Sequence, residues 1–212
     1  GDVYKRQILY NAINTSVYTY SFEKAVTIRE KLHVEQNLVI GHVGRFDAQK
    51  NHTFLLDIFS ECVNIVPNAR LLLVGDGEGR TQIQEKAKSL GLEEKVIFTG
   101  VRNDVADLLQ AMDVFVFPSL YEGVPVTMIE AQASGLPCVI SDGVPKDCVI
   151  TSGLVTSMKL SDRPCDWAKH IAAQLNRKRE NHLEEIQAAG YDIVTAAKEL
   201  ENFYLKKYGE ES

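Results

Sequence analysis

The stretch Val114-Phe-Val-Phe-Pro-Ser-Leu-Tyr-Glu-Gly-Val-Pro-Val-Thr-Met-Ile-Glu-Ala-Gln-Ala-Ser-Gly-Leu-Pro137 passes from strand to helix to turn without a linker. Val114 to Phe117 has the β-branched and aromatic content of a buried strand. Pro125 then stands where a first helical residue would, because its missing N–H is one that a helix start leaves unbonded anyway. Ser134-Gly135-Leu136-Pro137 closes the helix: Gly135 suits the left-handed C′ position, and Pro137 blocks continuation. Glu122 therefore falls in the loop at the carboxyl end of a strand, and Glu130 in the second helical turn. The axial rise from Pro125 to Glu130 is about 7.5 Å. An extended ligand centred over the helix N-terminus could touch a carboxylate on each side. The plainer reading is a chance spacing, with Glu130 an exposed helix residue.

Working outward, strand-like runs at Leu38 to Val43, Arg70 to Val74, Lys95 to Thr99 and Cys138 to Ser141 alternate with helical patterns. That alternation predicts an α/β fold, a Rossmann-like doubly wound parallel sheet with helices on both faces. Phe54, Leu55, Ile58, Phe59, Cys62 and Ile65 keep helical spacing after Asn51, an expected N-cap. Thr81 to Leu90, Val105 to Met112 and Pro125 to Ser134 supply further crossovers. Beyond Ser161 the pattern is all helical: Trp167 to Asn176, Arg179 to Ala189, and Asp192 to Tyr208. The last of these is amphipathic, and its apolar face needs a partner.

Composition excludes several classes. No apolar run approaches the roughly 18 residues that span a bilayer, and the net charge of −6 gives no basic face for nucleic acid. Cys62, Cys138, Cys148 and Cys165 form no CxxC pair; three sit beside apolar residues, which predicts buried reduced thiols and a reducing compartment. There is no DxD and no HExxH, so no metal site is expected, and the Ser-Gly pairs lack a GxSxG context. His42, alone in an apolar strand, reads as a core residue. The chain opens Gly1-Asp-Val-Tyr-Lys-Arg-Gln7 without Met or a signal-peptide core and looks cut from something longer.

In a doubly wound sheet, ligands bind outside the carboxyl ends of the strands. After the first strand come Gly44 and Arg45, then Lys50 immediately before a helix. A cation at a helix N-terminus opposes the macrodipole unless both share an anion, and a phosphate would resolve the conflict. The alternative is two solvated surface cations. Gly75-Asp76-Gly77-Glu78-Gly79 follows the second strand and allows close approach to the backbone, as a phosphate cradle or a plain tight turn. Gly100-Val101-Arg102-Asn103-Asp104 follows the third and could present backbone to a base edge, or simply cap a helix through Asn103 or Asp104.

Taken in order, Gly44-Arg45-Phe46 with Lys50, Val74-Gly75-Asp76-Gly77, Phe98-Thr99-Gly100, and Pro118 to Pro125 with Glu130-Ala-Gln-Ala-Ser-Gly-Leu-Pro137 resemble the C-terminal domain of retaining GT-B glycosyltransferases, the group 1 or family 4 domain. The resemblance runs from about Tyr10 onward, where Tyr10-Asn11-Ala12-Ile13-Asn14 is similar to the interdomain segment of that family. Ser141 to Lys146 and the Trp167 helix resemble its bacterial exopolysaccharide and capsule branch.

This resemblance implies one half of a GT-B fold. Residues 1–35 would be an interdomain segment and remnant of an N-terminal domain, 36–178 the nucleotide-sugar-binding domain, and 179–212 helices that pack back toward the other half. It implies a nucleoside diphosphate sugar as donor, with no cofactor and no metal. Arg45, Lys50 and Glu122 would be the catalytic residues, the two cations holding the diphosphate and Glu122 the sugar hydroxyls, while Glu130 would hold the ribose hydroxyls. Val101 and Arg102 would line the base, Gly75 and Gly123 would allow close approach, Gly44 would belong to the same donor-binding set, and Val124, Val126 and Thr127 would offer the backbone N–H groups that Pro125 lacks. Carboxylates at both ends and cations in the middle match the charge layout of such a donor. The implied acceptor is a glycan or lipid-linked sugar held by the N-terminal domain, the implied location the cytoplasm at the inner face of the membrane, and this chain alone is expected to bind donor without transferring it. An epimerase or phosphorylase of GT-B type, the latter with a pyridoxal-bearing lysine, would share the fold. A noncatalytic flavodoxin-like or receiver-like module would share only the sheet.

Overall fold

The structure, a computed structural model, describes residues 11–151, 153–174 and 177–208. Six strands, β1 (Leu38–Val43), β2 (Ala69–Val74), β3 (Val96–Phe98), β4 (Val114–Phe117), β5 (Cys138–Ser141) and β6 (Val155–Met158), form one sheet in the order β3-β2-β1-β4-β5-β6. Every pairing is parallel. This is the doubly wound Rossmann-like order, whose switch point lies between β1 and β4.

The helices are α1 (Thr15–Tyr18), α2 (Phe22–Leu32), α3 (His52–Ile65), α4 (Arg80–Ser89), α5 (Val105–Ala111), α6 (Val126–Ala133), α7 (Pro164–Ala172), α8 (Leu183–Ala188) and α9 (Ile193–Tyr208). Both faces of the sheet are covered, so its strands read as continuous apolar runs. Alternate side chains divide between two cores. Leu38, Ile40, Leu71, Leu73, Val114 and Val116 meet Leu55, Phe59, Ile83 and Trp167 from α3, α4 and α7. Their neighbours Val39, Leu72, Val74, Phe115 and Phe117 meet Ile28, Leu108, Leu109 and Met128 from α2, α5 and α6. None of the described helices is long and apolar enough to cross a membrane.

Three of the five expected strands have the expected bounds, and β2 and β3 differ by a residue at one or both ends. β6 was not expected: Val155-Thr156-Ser157-Met158 is an edge strand that buries only Met158, so its apolar signal is weak. α1 and α2 likewise fall in a segment expected only as a connector. The helix expected over Trp167 to Asn176 begins earlier, at Pro164, and ends earlier, at Ala172, with Leu175 and Asn176 outside the described residues, as is Tyr10 at the start of the expected interdomain segment. The expected N-cap Asn51 is left-handed (φ 54°) and makes no side-chain cap; its amide instead donates to the Pro118 carbonyl at 3.2 Å. Pro125 is the N-cap of α6 itself, one position before the first helical residue.

The far end of α6 behaves as read. Gly135 sits at φ 62°. Its N–H donates to Gln132 and that of Leu136 to Ala131, a complete Schellman closure. Beyond Arg179 the chain is anchored on this unit. Arg179 donates to the carbonyls of Ser134 and Leu109 at 2.8 Å each and to that of Met112, and its guanidinium lies 4.7 Å from the Tyr20 ring centroid. Ile186 of α8 and Tyr191 join Ile13, Ile129 and Ala133 in a third apolar cluster behind α6.

A candidate donor site at the switch point

The loop after β1 and the loop after β4 face each other where the strand order reverses. Asp47 accepts from the Lys50 N–H at 3.1 Å and closes a single 3-10 turn over Ala48–Lys50, which delivers the Lys50 side chain to the β4 side. There its ammonium donates to Glu122 Oε1 at 2.6 Å and lies 4.8 Å from the Phe117 ring centroid. Gln49 Nε2 donates to the other carboxylate oxygen at 3.1 Å and to the Tyr121 carbonyl at 3.0 Å. The Glu122 side chain is only 5% exposed, so its charge is held by Lys50 and Gln49 rather than by water. The Glu122 N–H donates to the carbonyl of Gly143, and a Cβ at Gly143 would meet the Leu120 carbonyl at 2.3 Å. Gly143 thus fixes the loop that aims Glu122.

The β2 loop packs against the same corner. The Gly75 N–H donates to Gly100 and the Phe46 N–H to Asp76. Gly75 has φ 135°, and a Cβ there would lie 2.1 Å from the Gly44 carbonyl oxygen, so only glycine permits this closeness. Arg45, by contrast, is exposed and pairs with none of the described residues; it borders a cleft shared with Phe46, Asp47, Ala48, Glu78 and Gly79. Val101 is 81% exposed. Arg102 is held in a bidentate pair by Asp104, which raises its pKa, so the expected cap at Asp104 is spent on Arg102 instead.

Gly123 is explained by nothing in the chain. It lacks a positive φ, and a Cβ on it would meet no atom within 4 Å. It opens onto the start of α6, where Val124 is exposed, Val126 and Thr127 are half-buried, and Met128 makes the first-turn bond to Pro125. Glu130, one turn further in, accepts from the Tyr18 hydroxyl at 2.6 Å. Burial raises the Glu130 pKa, and the Tyr18 bond partly offsets that rise.

Behind the site, His42 and His52 are buried with ring centroids 4.6 Å apart. His42 Nδ1 bonds the Val116 carbonyl at 2.9 Å, whereas His42 Nε2, both His52 nitrogens and Ser119 Oγ are buried without a partner among the described residues. His42 is a core residue, as read. Among the described residues no group of three or more His, Cys, Asp or Glu side chains is placed to hold a metal ion. The cysteines are free; Cys62, Cys138 and Cys148 are buried and Cys165 half-buried.

The glycosyl transferases group 1 family matches residues 37–177, the whole sheet and both loops of the switch point. The chain belongs to that family. It is 42% identical over 170 residues to the Bacillus subtilis protein that bears the name glycosyltransferase EpsF, covering 79% of this chain and 44% of that protein. It is 30% identical over 153 residues to an Escherichia coli UDP-Gal:alpha-D-GlcNAc-diphosphoundecaprenol alpha-1,3-galactosyltransferase, covering 70% and 40%. The chain therefore spans less than half the length of either relative. Its fold is shared with Anabaena HepE, solved in complex with UDP and glucose, at a TM-score of 0.80 with 23% identity over 93% of this chain and 56% of that one. It also resembles the C-terminal domain of a group 1 protein, LpcC, from Francisella tularensis, at a TM-score of 0.70 and 18% identity, covering 86% of this chain and all of that one.

The expected site residues fall into two groups. Lys50, Glu122, Gly44, Gly75 and the α6 start converge at the switch point, with Glu130 one turn behind it. Arg45, Val101 and Arg102 are exposed, and their side chains make no bond to that group. Sequence reading did not single out Gln49 or Tyr18. Each is tied to a site carboxylate across more than 70 residues of sequence, at separations of 73 and 112, and no local pattern announces such pairs.

Proposed function

We propose that this chain is the donor-binding half of a retaining glycosyltransferase that moves a sugar from a nucleoside diphosphate sugar to a glycan or lipid-linked acceptor in surface polysaccharide synthesis. The observation that carries this reading is the ordering of charge along the switch point: Arg45 and Lys50 on the β1 loop, Glu122 opposite, the open α6 start at Gly123, and Glu130 beyond it. A diphosphate fits between the cations and the helix start, with hydroxyl-bearing groups at each carboxylate.

In this reading Lys50 exchanges Glu122 for phosphate as the donor enters, and the released Glu122 accepts from hydroxyls of the donor sugar. During transfer, charge grows on the leaving diphosphate as the glycosidic bond breaks. Arg45, Lys50 and the amides of Val126 and Thr127 oppose that charge, and each charge-assisted contact contributes about 1.5 to 3 kcal/mol. The family relationship supports the reaction class. The acceptor belongs to the half of the enzyme that this chain does not span in its relatives, and the enzyme acts at the inner face of the membrane.

Because the Escherichia coli relative is named for transfer from UDP-Gal, UDP is the first probe. Calorimetric titration of the chain with UDP, in the absence of divalent metal, should show saturable binding that Arg45→Ala with Lys50→Ala abolishes. Absence of binding to every nucleoside diphosphate in a panel defeats the proposal.

A further inference from the structure

One site carboxylate is held by an element outside the sheet. Tyr18 closes α1, and its hydroxyl reaches Glu130 Oε1 at 2.6 Å across 112 residues of sequence. Tyr18 is itself fixed from both sides. Its carbonyl accepts from Gln110 Nε2 at 3.3 Å, and Gln110 Oε1 accepts from the Ser21 N–H at 2.9 Å, tying the end of α1 to α5. At the other end, Thr15 Oγ1 donates to Asp192 Oδ1 at 2.6 Å. The Ile13 N–H donates to Tyr191, and the Ile193 N–H to Ile13. The Tyr18 ring packs against the apolar clusters on both sides of α6.

A glutamate side chain has three rotatable bonds, and ordering it costs rotamer entropy whenever it must grip a ligand. The bond from a fixed phenol removes that cost in advance. It occupies one carboxylate oxygen and leaves Oε2 to accept a hydroxyl.

We propose that Tyr18 is a positioning residue for donor binding, holding Glu130 in the orientation that accepts from the ribose hydroxyls of the nucleotide. This rests on the reading of Glu130 as the ribose ligand. Tyr18 itself does not touch the donor. Its effect is carried entirely by the carboxylate, so it acts on the ribose and leaves the rest of the nucleotide unaffected.

The test measures affinities of the 212-residue chain for UDP and for 2′,3′-dideoxy-UDP, in wild type, Tyr18→Phe, Glu130→Gln and the double variant. Tyr18→Phe should weaken UDP by about tenfold, equivalent to about 1.4 kcal/mol, and leave dideoxy-UDP unchanged. The double variant should lose no more UDP affinity than Glu130→Gln alone. A purely structural role for Tyr18 would weaken both nucleotides alike, and that result overturns the proposal. So does wild-type UDP affinity in Tyr18→Phe when Glu130→Gln has lost it, an outcome that leaves the ribose reading of Glu130 standing. If Glu130→Gln binds UDP as wild type does, the ribose reading falls and takes the positioning role with it.

Discussion

Lys50 and Glu122 meet at 2.6 Å across the strand-order reversal, with side chains 17% and 5% exposed, so the cation expected to hold a phosphate is paired with a carboxylate of its own chain. An incoming anion competes with a carboxylate for the same ammonium. Glu122→Gln removes the competitor while keeping the side-chain shape. UDP alone should then bind several-fold more tightly, and a UDP-sugar should gain less because its hydroxyls lose a charged acceptor. Parallel titrations of the two ligands check this; equal gains for both would refute the assigned role of Glu122.

The same pair governs stability. Breaking a buried pair from one side leaves an uncompensated charge, so Lys50→Met should cost on the order of 3 kcal/mol. Removing both charges, as Lys50→Met with Glu122→Gln, should recover most of that loss. Urea unfolding of the wild type, Lys50→Met, Glu122→Gln and the double variant supplies the double-mutant cycle.

Gly75→Ala would place a methyl group 2.1 Å from the Gly44 carbonyl at a φ of 135°. The β1 and β2 loops must then separate. We expect a loss of roughly 2 to 4 kcal/mol in calorimetric unfolding, together with weakened UDP binding, because Gly44 and Arg45 move with their loop.

Gln132 is wholly buried. Its amide donates to Met128 and Cys148, and its carbonyl oxygen accepts from Ile150 N, Thr151 N and Thr151 Oγ1. Gln132→Leu fits the volume and orphans these groups. A cost of about 2 to 4 kcal/mol is expected, read as a lower urea midpoint.

His52 sets an acid limit. Burial first, and then the nearby Lys50 charge, push its pKa down from 6.5 to about 4. His42 shifts in the same direction, through burial and then the charge of His52. The unfolded chain therefore takes up protons that the folded chain refuses. Stability is complete above the ordinary histidine range and falls as pH drops through it toward 4. One such histidine loses roughly 2 kcal/mol between about pH 7 and about pH 5. His52→Phe keeps the stacking on Phe46, whose ring centroid is 4.2 Å away. Urea midpoints of the variant at the two pH values should lie closer together than those of the wild type.

The sheet was legible because its buried strands are continuous β-branched and aromatic runs, and the closure of α6 because Gly135 has no substitute there. β6 escaped notice since an edge strand with partly exposed Val155, Thr156 and Ser157 carries little apolar signal. α2 escaped for a similar reason: it buries Ala25 and Ile28 and leaves Phe22 71% exposed. Around the site, single residues were identifiable from loop position and charge, but their pairing was not. Whether Lys50 faces solvent, phosphate or Glu122 depends on which strands are neighbours, a property of sheet order rather than of local sequence. Asn51 shows the converse. It was read as a cap from its chemistry, and tertiary packing turned its amide to Pro118.

The parallel bridge between Ile13 and Asp192 closes the segment between them on itself. Residues between them leave and return at a single point, so two neighbouring cuts in the backbone enclose the whole excursion. Burial pushes the Asp192 carboxyl up, but hydrogen bonds from Thr15 and Thr195 outweigh it and keep the group ionised where the cuts would fall. A segment whose two ends lie side by side can be cut out or inserted as one piece without re-threading the chain around it.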